Sequence, residues 1–125
     1  MSKERKKICI VLTARGNYAK MKSVISALDA TNQCELTILG GGSVVLDRYG
    51  KLLDDPNVDP LAIQHKIHFL VEGETPLTMA KSAGLAVSEF ATAFENTKPD
   101  IILVIADRYE SLAIAMAATY MNVAV

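Results

Sequence analysis

The sequence predicts an α/β fold in which one parallel β-sheet is covered by helices on both faces. Short apolar segments alternate with longer segments of helical periodicity along the chain, which is the order of a parallel sheet with crossover helices. Two of the apolar segments, residues 8–13 and 101–105, are almost entirely apolar, as expected for strands buried on both faces. The 125 residues, 50% of them hydrophobic, are sized for one domain.

The first half of the chain contains two predicted strands, residues 8–13 and 35–39, and a helix between them. Asn17 is the predicted N-cap of that helix. The helix turns one apolar stripe to the sheet: Tyr18, Met21, Val24, Ile25 and Leu28. Three glycines, residues 40–42, follow the second strand and permit close approach of a neighbour, so they are predicted either to cradle a phosphate or to form a mobile turn. A short helix is expected over residues 44–53.

The second half continues the alternation. Residues 66–71 predict a third, more amphiphilic strand near a sheet edge, and Thr75 with Pro76 predicts a capped helix start. That helix ends near Asn96, and its expected buried stripe leaves Leu85 and Phe90 outside: Leu77, Ala80, Gly84, Val87, Ala91 and Phe94. A fourth strand, a helix and the beginning of a fifth strand follow over residues 101–105, 111–121 and 122–125.

Charged residues follow two strands that this sheet places side by side. In the common doubly wound, Rossmann-like order 3-2-1-4-5, the first and fourth strands are neighbours and the order reverses between them. Arg15 follows the first strand, and Asp107 and Arg108 follow the fourth. Because ligands bind outside the carboxyl ends of strands at such a switch point, we expect the three residues to share one crevice.

These residue types suit an anionic ligand whose reaction moves a proton. Guanidinium groups make bidentate hydrogen bonds to phosphate oxygens, so Arg15 and Arg108 are candidates for holding a diphosphate. Asp107 is a candidate general acid or base if its surroundings bring its pKa toward neutrality, and the alternative is that it only caps the following helix. The turn after the first strand lacks G-x-G-x-x-G, which excludes a nicotinamide or flavin cofactor on that route.

Composition excludes several other classes. The net charge is −1, and basic residues cluster before the first strand, so the folded body is mildly acidic and no nucleic-acid footprint is expected. No apolar stretch is long enough for a membrane span or follows the basic start as a signal peptide would, and a cytoplasmic protein is predicted. Cys9 and Cys34 are interpreted as reduced packing residues, and His65 and His68 lie on opposite faces of a strand, so no metal site is predicted.

Five segments resemble, in order and with compatible spacing, the hydrolysing UDP-N-acetylglucosamine 2-epimerases that begin sialic-acid and related nonulosonic-acid synthesis. The segments are TARGNYAK (13–20), VEGE (71–74), KPD (98–100), ADR (106–108) and AATYMN (117–122). The resemblance implies elimination of UDP to a 2-acetamidoglucal, then hydration to N-acetylmannosamine, without metal or redox cofactor. It also implies that Arg15 and Arg108 bind UDP and that Asp107 is an acid/base carboxylate. Ala19 and Ala106 depart from some relatives, which carry serine and glycine there.

The resemblance also implies the first half of a two-domain, GT-B-like enzyme that works as a homo-oligomer, most simply a dimer. Residues 1–125 are then one Rossmann-like domain, truncated in or after its fifth strand and without the second nucleotide-binding domain. We expect the 125 residues alone to be inactive. Two alternatives stay open at this point: a non-catalytic module that binds a nucleotide sugar or dimerises through the helix of residues 75–96, and a glycosyltransferase of the same two-domain build.

Overall fold

A computed structural model of the chain describes residues 5–45, 65–105 and 108–125. Within these residues four parallel strands form one sheet in the order β3-β2-β1-β4. The strands are β1 (Lys6–Leu12), β2 (Cys34–Gly41), β3 (His65–Ile67) and β4 (Ile101–Leu103). Ile101 pairs with Ile8 of β1 on one side and forms a parallel bridge with Ala124 on the other. The predicted α/β class and strand order are thereby confirmed, and the chain after α-helical residue 120 returns beside β4, where the fifth strand is predicted.

Helices cover both faces of the sheet. They are α1 (Arg15–Thr31), α2 (Pro76–Thr97) and α3 (Glu110–Tyr120). Alternate side chains of β1 point to opposite faces, so Ile10 and Leu12 pack in the core that contains Tyr18 of α1, whereas Cys9 and Val11 pack in the core formed with α2 and α3. The sheet is therefore doubly wound, with α1 on one face and the other two helices on the opposite face.

The third strand is shorter than its apolar pattern predicts. Strand pairing ends at Ile67, and Phe69 is buried beyond it. The backbone N–H of Val71 donates to Oγ of Ser82 in α2 at 2.8 Å, so this segment is bonded to a helix instead of a neighbouring strand. The predicted start of α2 is confirmed, because Thr75 accepts from the backbone N–H of Thr78 and the two residues complete a capping box.

Phe94 is buried as predicted, but the rest of the predicted buried stripe of α2 is wrong by about one residue, or roughly 100° around the helix. The buried positions are Ser82, Ala86, Phe90, Ala93 and Phe94. Leu77, expected inside, is 64% exposed, and Phe90, expected outside, is fully buried. The ring centroid of Phe90 lies 5.7 Å from that of Phe69 and 5.9 Å from that of Phe94. Aromatic rings bury more apolar area than alanine or glycine, so they set the rotation of the helix.

Two other expectations concern the remaining chain. The helix predicted over residues 44–53 begins in a short 3-10 helix, Gly42–Val45, and its remaining residues lie outside the described part. Among the residues that the structure describes, no helix is long and apolar enough to cross a membrane.

Candidate functional site

The fold brings the two charged turns to one edge of the sheet. β1 and β4 are parallel neighbours with Ile10 opposite Leu103, so the segments that follow them leave the sheet at the same edge. Arg15 is the first residue of α1 and Arg108 precedes α3. The structure describes Arg15 through its backbone, and Asp107 lies outside the described residues. The two backbone segments of the predicted crevice therefore leave the sheet at the same edge. The roles of Arg15, Asp107 and Arg108 in this crevice stay predictions.

The turn after β1 is fixed by an asparagine inside the helix. Ala14 occupies the N-cap in extended conformation and makes no side-chain cap bond, so the prediction that Asn17 is the N-cap is wrong. Asn17 is the third helical residue, and its Oδ1 accepts from the backbone N–H of Thr13 at 2.9 Å and from its hydroxyl at 3.0 Å. Both residues are buried. The amide thus ties the end of the strand to the first turn of the helix that carries Arg15.

The glycines at the end of β2 and directly after it allow close packing at the same edge. Gly40 and Gly41 pair with β3 inside the sheet, and a Cβ on Gly41 would lie 2.8 Å from the ring of Phe69. Gly42 has φ +59°, and a Cβ there would lie 3.0 Å from the carbonyl oxygen of Thr13. These contacts confirm that neighbouring segments approach closely at Gly41 and Gly42, and the phosphate-cradle and mobile-turn interpretations stay predictions.

An ion pair between an exposed arginine and a buried glutamate lies at the beginning of α3. The Nε of Arg108 donates to Oε2 of Glu110 at 3.1 Å and to Oε1 at 3.2 Å, and Nη2 donates to Oε1 at 3.2 Å. The Glu110 side chain has no exposed surface, whereas that of Arg108 is 40% exposed. Sequence reasoning missed Glu110 because it began this helix at Ser111. The available signal was an acidic residue two positions after an arginine, in the first helical turn.

The start of α3 is also bonded to the segment that follows β4. The hydroxyl of Ser111 donates to the carbonyl oxygen of Ile105 at 2.5 Å, and the backbone N–H of Ser111 donates to the carbonyl of Arg108 at 3.2 Å. Tyr109 occupies the N-cap with helical dihedral angles and makes no side-chain cap bond. Ser111 thus holds the first turn of α3, and with it the segment of Arg108, against the carboxyl end of β4.

A cleft of about 170 Å³ opens beside Gly42. Its described lining is Gly42, Val45, His68, Phe69, Leu70 and Leu85. His68 lines the cleft, and His65 lies in β3. Residues 5–45, 65–105 and 108–125 hold no group of three or more side chains suited to a metal ion.

Burial raises the pKa of the Cys9 thiol to about 12, which leaves it protonated and unreactive at neutral pH.

Comparison with known families shows the family to which the chain belongs. The sequence profile of the UDP-N-acetylglucosamine 2-epimerases matches residues 26–125. The chain belongs to the UDP-N-acetylglucosamine 2-epimerase family. The match covers both β4 and α3, including the segment of Arg108 and Glu110. It favours the epimerase interpretation over the glycosyltransferase alternative, and the resemblance stated from the five sequence segments is confirmed.

Two curated members of this family are hydrolysing 2-epimerases. The GDP/UDP-N,N'-diacetylbacillosamine 2-epimerase of Campylobacter jejuni is 28% identical over 119 residues, which are 95% of this chain and 31% of the relative. The UDP-N,N'-diacetylbacillosamine 2-epimerase of Legionella pneumophila is 30% identical over 120 residues, which are 96% of this chain and 32% of the relative. The chain thus spans about a third of the length of these relatives and corresponds to the N-terminal part of the family.

Solved structures of epimerases share the fold. A UDP-N-acetylglucosamine 2-epimerase superposes with a TM-score of 0.80 at 22% identity, over 98% of this chain and 32% of that one. The Neisseria meningitidis enzyme, solved with UDP-GlcNAc bound, superposes with a TM-score of 0.76 at 19% identity, over 94% of this chain and 30% of that one. At these identities the likeness establishes the Rossmann-like fold of the 2-epimerases, GT-B-like in build, for this family member.

Proposed function

We propose that this chain supplies the diphosphate-binding and acid/base side of a hydrolysing UDP-sugar 2-epimerase. The observation that carries the proposal is the adjacency of β1 and β4, which directs the Arg15 and Arg108 turns to one edge within a chain of this family. Two guanidinium groups and a carboxylate at such an edge fit a ligand with a diphosphate and a reacting C–H bond. UDP-N-acetylglucosamine and related UDP-2-acetamido sugars have both.

In the proposed reaction a base takes the proton from C2 of the sugar, the bond between C1 and the diphosphate oxygen breaks, and UDP leaves. The product of this elimination is a 2-acetamidoglucal with a C1=C2 double bond. Water then adds its hydroxyl to C1 and a proton to the other face of C2, which yields N-acetylmannosamine from the N-acetylglucosamine substrate. Arg15 and Arg108 bind the diphosphate as it departs, and Asp107 transfers a proton as one of the acid/base carboxylates.

The decisive experiment follows both products in the full-length protein. We expect incubation with UDP-N-acetylglucosamine or UDP-N,N'-diacetylbacillosamine to release UDP together with the free 2-epimeric sugar, observed by proton NMR. The second substrate is included because it appears in the names of the two curated relatives. Saturable binding of both sugars with no UDP release would support the non-catalytic module instead. Residues 1–125 by themselves are expected to release no N-acetylmannosamine.

Asp107→Asn tests the acid/base role. We expect turnover of the full-length protein to fall by about 10²- to 10⁴-fold, which is the usual contribution of a positioned proton-transfer group. Asp100→Asn is the matched control, since Asp100 Oδ2 accepts from the backbone N–H of Lys7 at 2.7 Å, before β4 and so at the opposite end of the strand. An asparagine oxygen can keep that bond, so turnover should stay near wild type. Near-normal turnover of Asp107→Asn would remove Asp107 from the mechanism.

We also propose that the protein works in the cytoplasm as a homo-oligomer, without nucleic-acid or membrane partners. Free thiols at Cys9 and Cys34 and the mildly acidic body support the cellular setting. Exposed apolar side chains along α3 support self-association: Leu112 (71%), Met116 (42%) and Tyr120 (82%). Sedimentation velocity of the full-length protein should show a dimer, and a monomer at micromolar concentration would contradict this.

A further inference from the structure

Glu110 is a fully buried carboxylate at the edge of the candidate site. A charged group without solvent contact is stable only with partners, and Arg108 supplies three hydrogen bonds at 3.1–3.2 Å to its two oxygens. Its Oε1 also lies 3.6 Å from the position that a Cβ on Gly42 would take. Gly42 in turn packs against the carbonyl of Thr13. The carboxylate thus lies against Arg108, which follows β4, and close to Gly42, which follows β2.

The pair fixes the orientation of the arginine. Because Nε and Nη2 of Arg108 both bond the same carboxylate, the plane of the guanidinium is set by two donors and two acceptors. This side-on geometry directs the Nη1 end of the group away from Glu110. The arginine side chain is 40% exposed while the glutamate is fully enclosed, so the outward end of the pair belongs to the arginine.

We propose that Glu110 is a positioning residue that holds the Arg108 guanidinium ready for the diphosphate of a UDP sugar. The inference rests on the proposed function, in which Arg108 binds that diphosphate. A pre-oriented arginine loses less side-chain freedom when the ligand binds, which raises affinity without any contact between Glu110 and the ligand. The negative charge of Glu110 repels a diphosphate, so its benefit depends entirely on Arg108.

The test is the binding of UDP to full-length protein by calorimetry. Glu110→Gln keeps the size of the side chain and removes the charge that attracts both guanidinium donors. We expect UDP affinity to fall by about tenfold, while affinity for uridine, which has no phosphate, stays unchanged. In the Arg108→Ala background the same substitution should change UDP affinity less than about twofold, because Glu110 acts through Arg108. Glu110→Asp, which keeps the charge on a shorter side chain, should give an intermediate UDP affinity.

Different failures have different meanings. Wild-type UDP affinity in folded Glu110→Gln, alongside weakened binding in Arg108→Ala, overturns the positioning role alone. An equal loss for UDP and uridine, or the same loss with and without Arg108, shows a general structural effect and also overturns it. UDP affinity unchanged by Arg108→Ala overturns both this inference and the diphosphate role of Arg108. If Glu110→Gln does not fold, the affinities of Glu110→Asp for UDP and for uridine are compared with those of the wild type instead. An equal fold-change for the two ligands, or no change for either, overturns the proposal.

Discussion

Gly42→Ala perturbs the point where the segments after β1 and β2 meet. Gly42 has φ +59°, a conformation that costs an L-residue roughly 1–2 kcal/mol. The added methyl group would lie 3.0 Å from the carbonyl oxygen of Thr13 and 3.3 Å from the ring of Phe69. That carbonyl cannot move freely, since it also accepts a hydrogen bond from the hydroxyl of Ser43 at 3.1 Å.

The expected cost follows from these terms. Relieving the contact adds about 1–2 kcal/mol of overpacking, and the lower entropy of alanine in the unfolded chain returns about 0.5–1 kcal/mol. The net loss in the free energy of unfolding is about 2 kcal/mol. With a urea dependence of about 2 kcal/mol per molar, the midpoint of the transition should fall by about 1 M.

Urea unfolding followed by far-UV circular dichroism measures this shift, and Gly84→Ala is the matched control. Gly84 lies inside α2 and is exposed, and a Cβ there would meet nothing within 4 Å. Alanine favours helix over glycine by about 0.5–1 kcal/mol, so the control should gain stability. If Gly42→Ala unfolds at the wild-type midpoint while Gly84→Ala behaves as expected, the positive φ and the tight packing at Gly42 are not features of the protein.

Two further predictions concern the core. Phe90→Ala should lower the free energy of unfolding by about 3–5 kcal/mol, because the ring is fully buried. Leu77→Ala, on the exposed face, should change it by less than about 0.5 kcal/mol. Equal effects of the two substitutions would argue against the observed rotation of α2. The thiol of Cys9 has a pKa of about 12 against an ordinary 9.0, so its contribution to stability is complete below pH 9 and is lost as the pH rises toward 12. Cys9→Ala should therefore show a shallower alkaline loss of stability in pH-dependent urea unfolding, and an unchanged slope would exclude this role.

Periodicity determined the strands, the helices and their order. Apolar runs such as residues 101–105 and capping pairs such as Thr75 with Pro76 depend only on residues a few positions apart. The sequence therefore shows them directly. Parallel alternation then leaves few topologies, and the common Rossmann-like order among them places β1 beside β4, as the structure has it. This was enough to place the turns of Arg15 and Arg108 at one edge of the sheet.

Tertiary packing decided what local pattern leaves open. Two stripes on α2 are comparably apolar, and the burial of Phe90 between Phe69 and Phe94 selects one of them. Gly41 and Gly42 have meaning only through neighbours that are distant in sequence, such as Thr13 for Gly42, and Glu110 is packed beside Gly42 although its ion-pair partner Arg108 is close in sequence. Local propensity is set by adjacent residues, whereas the burial of a charge or the need for a missing Cβ depends on which segments the folded chain brings into contact.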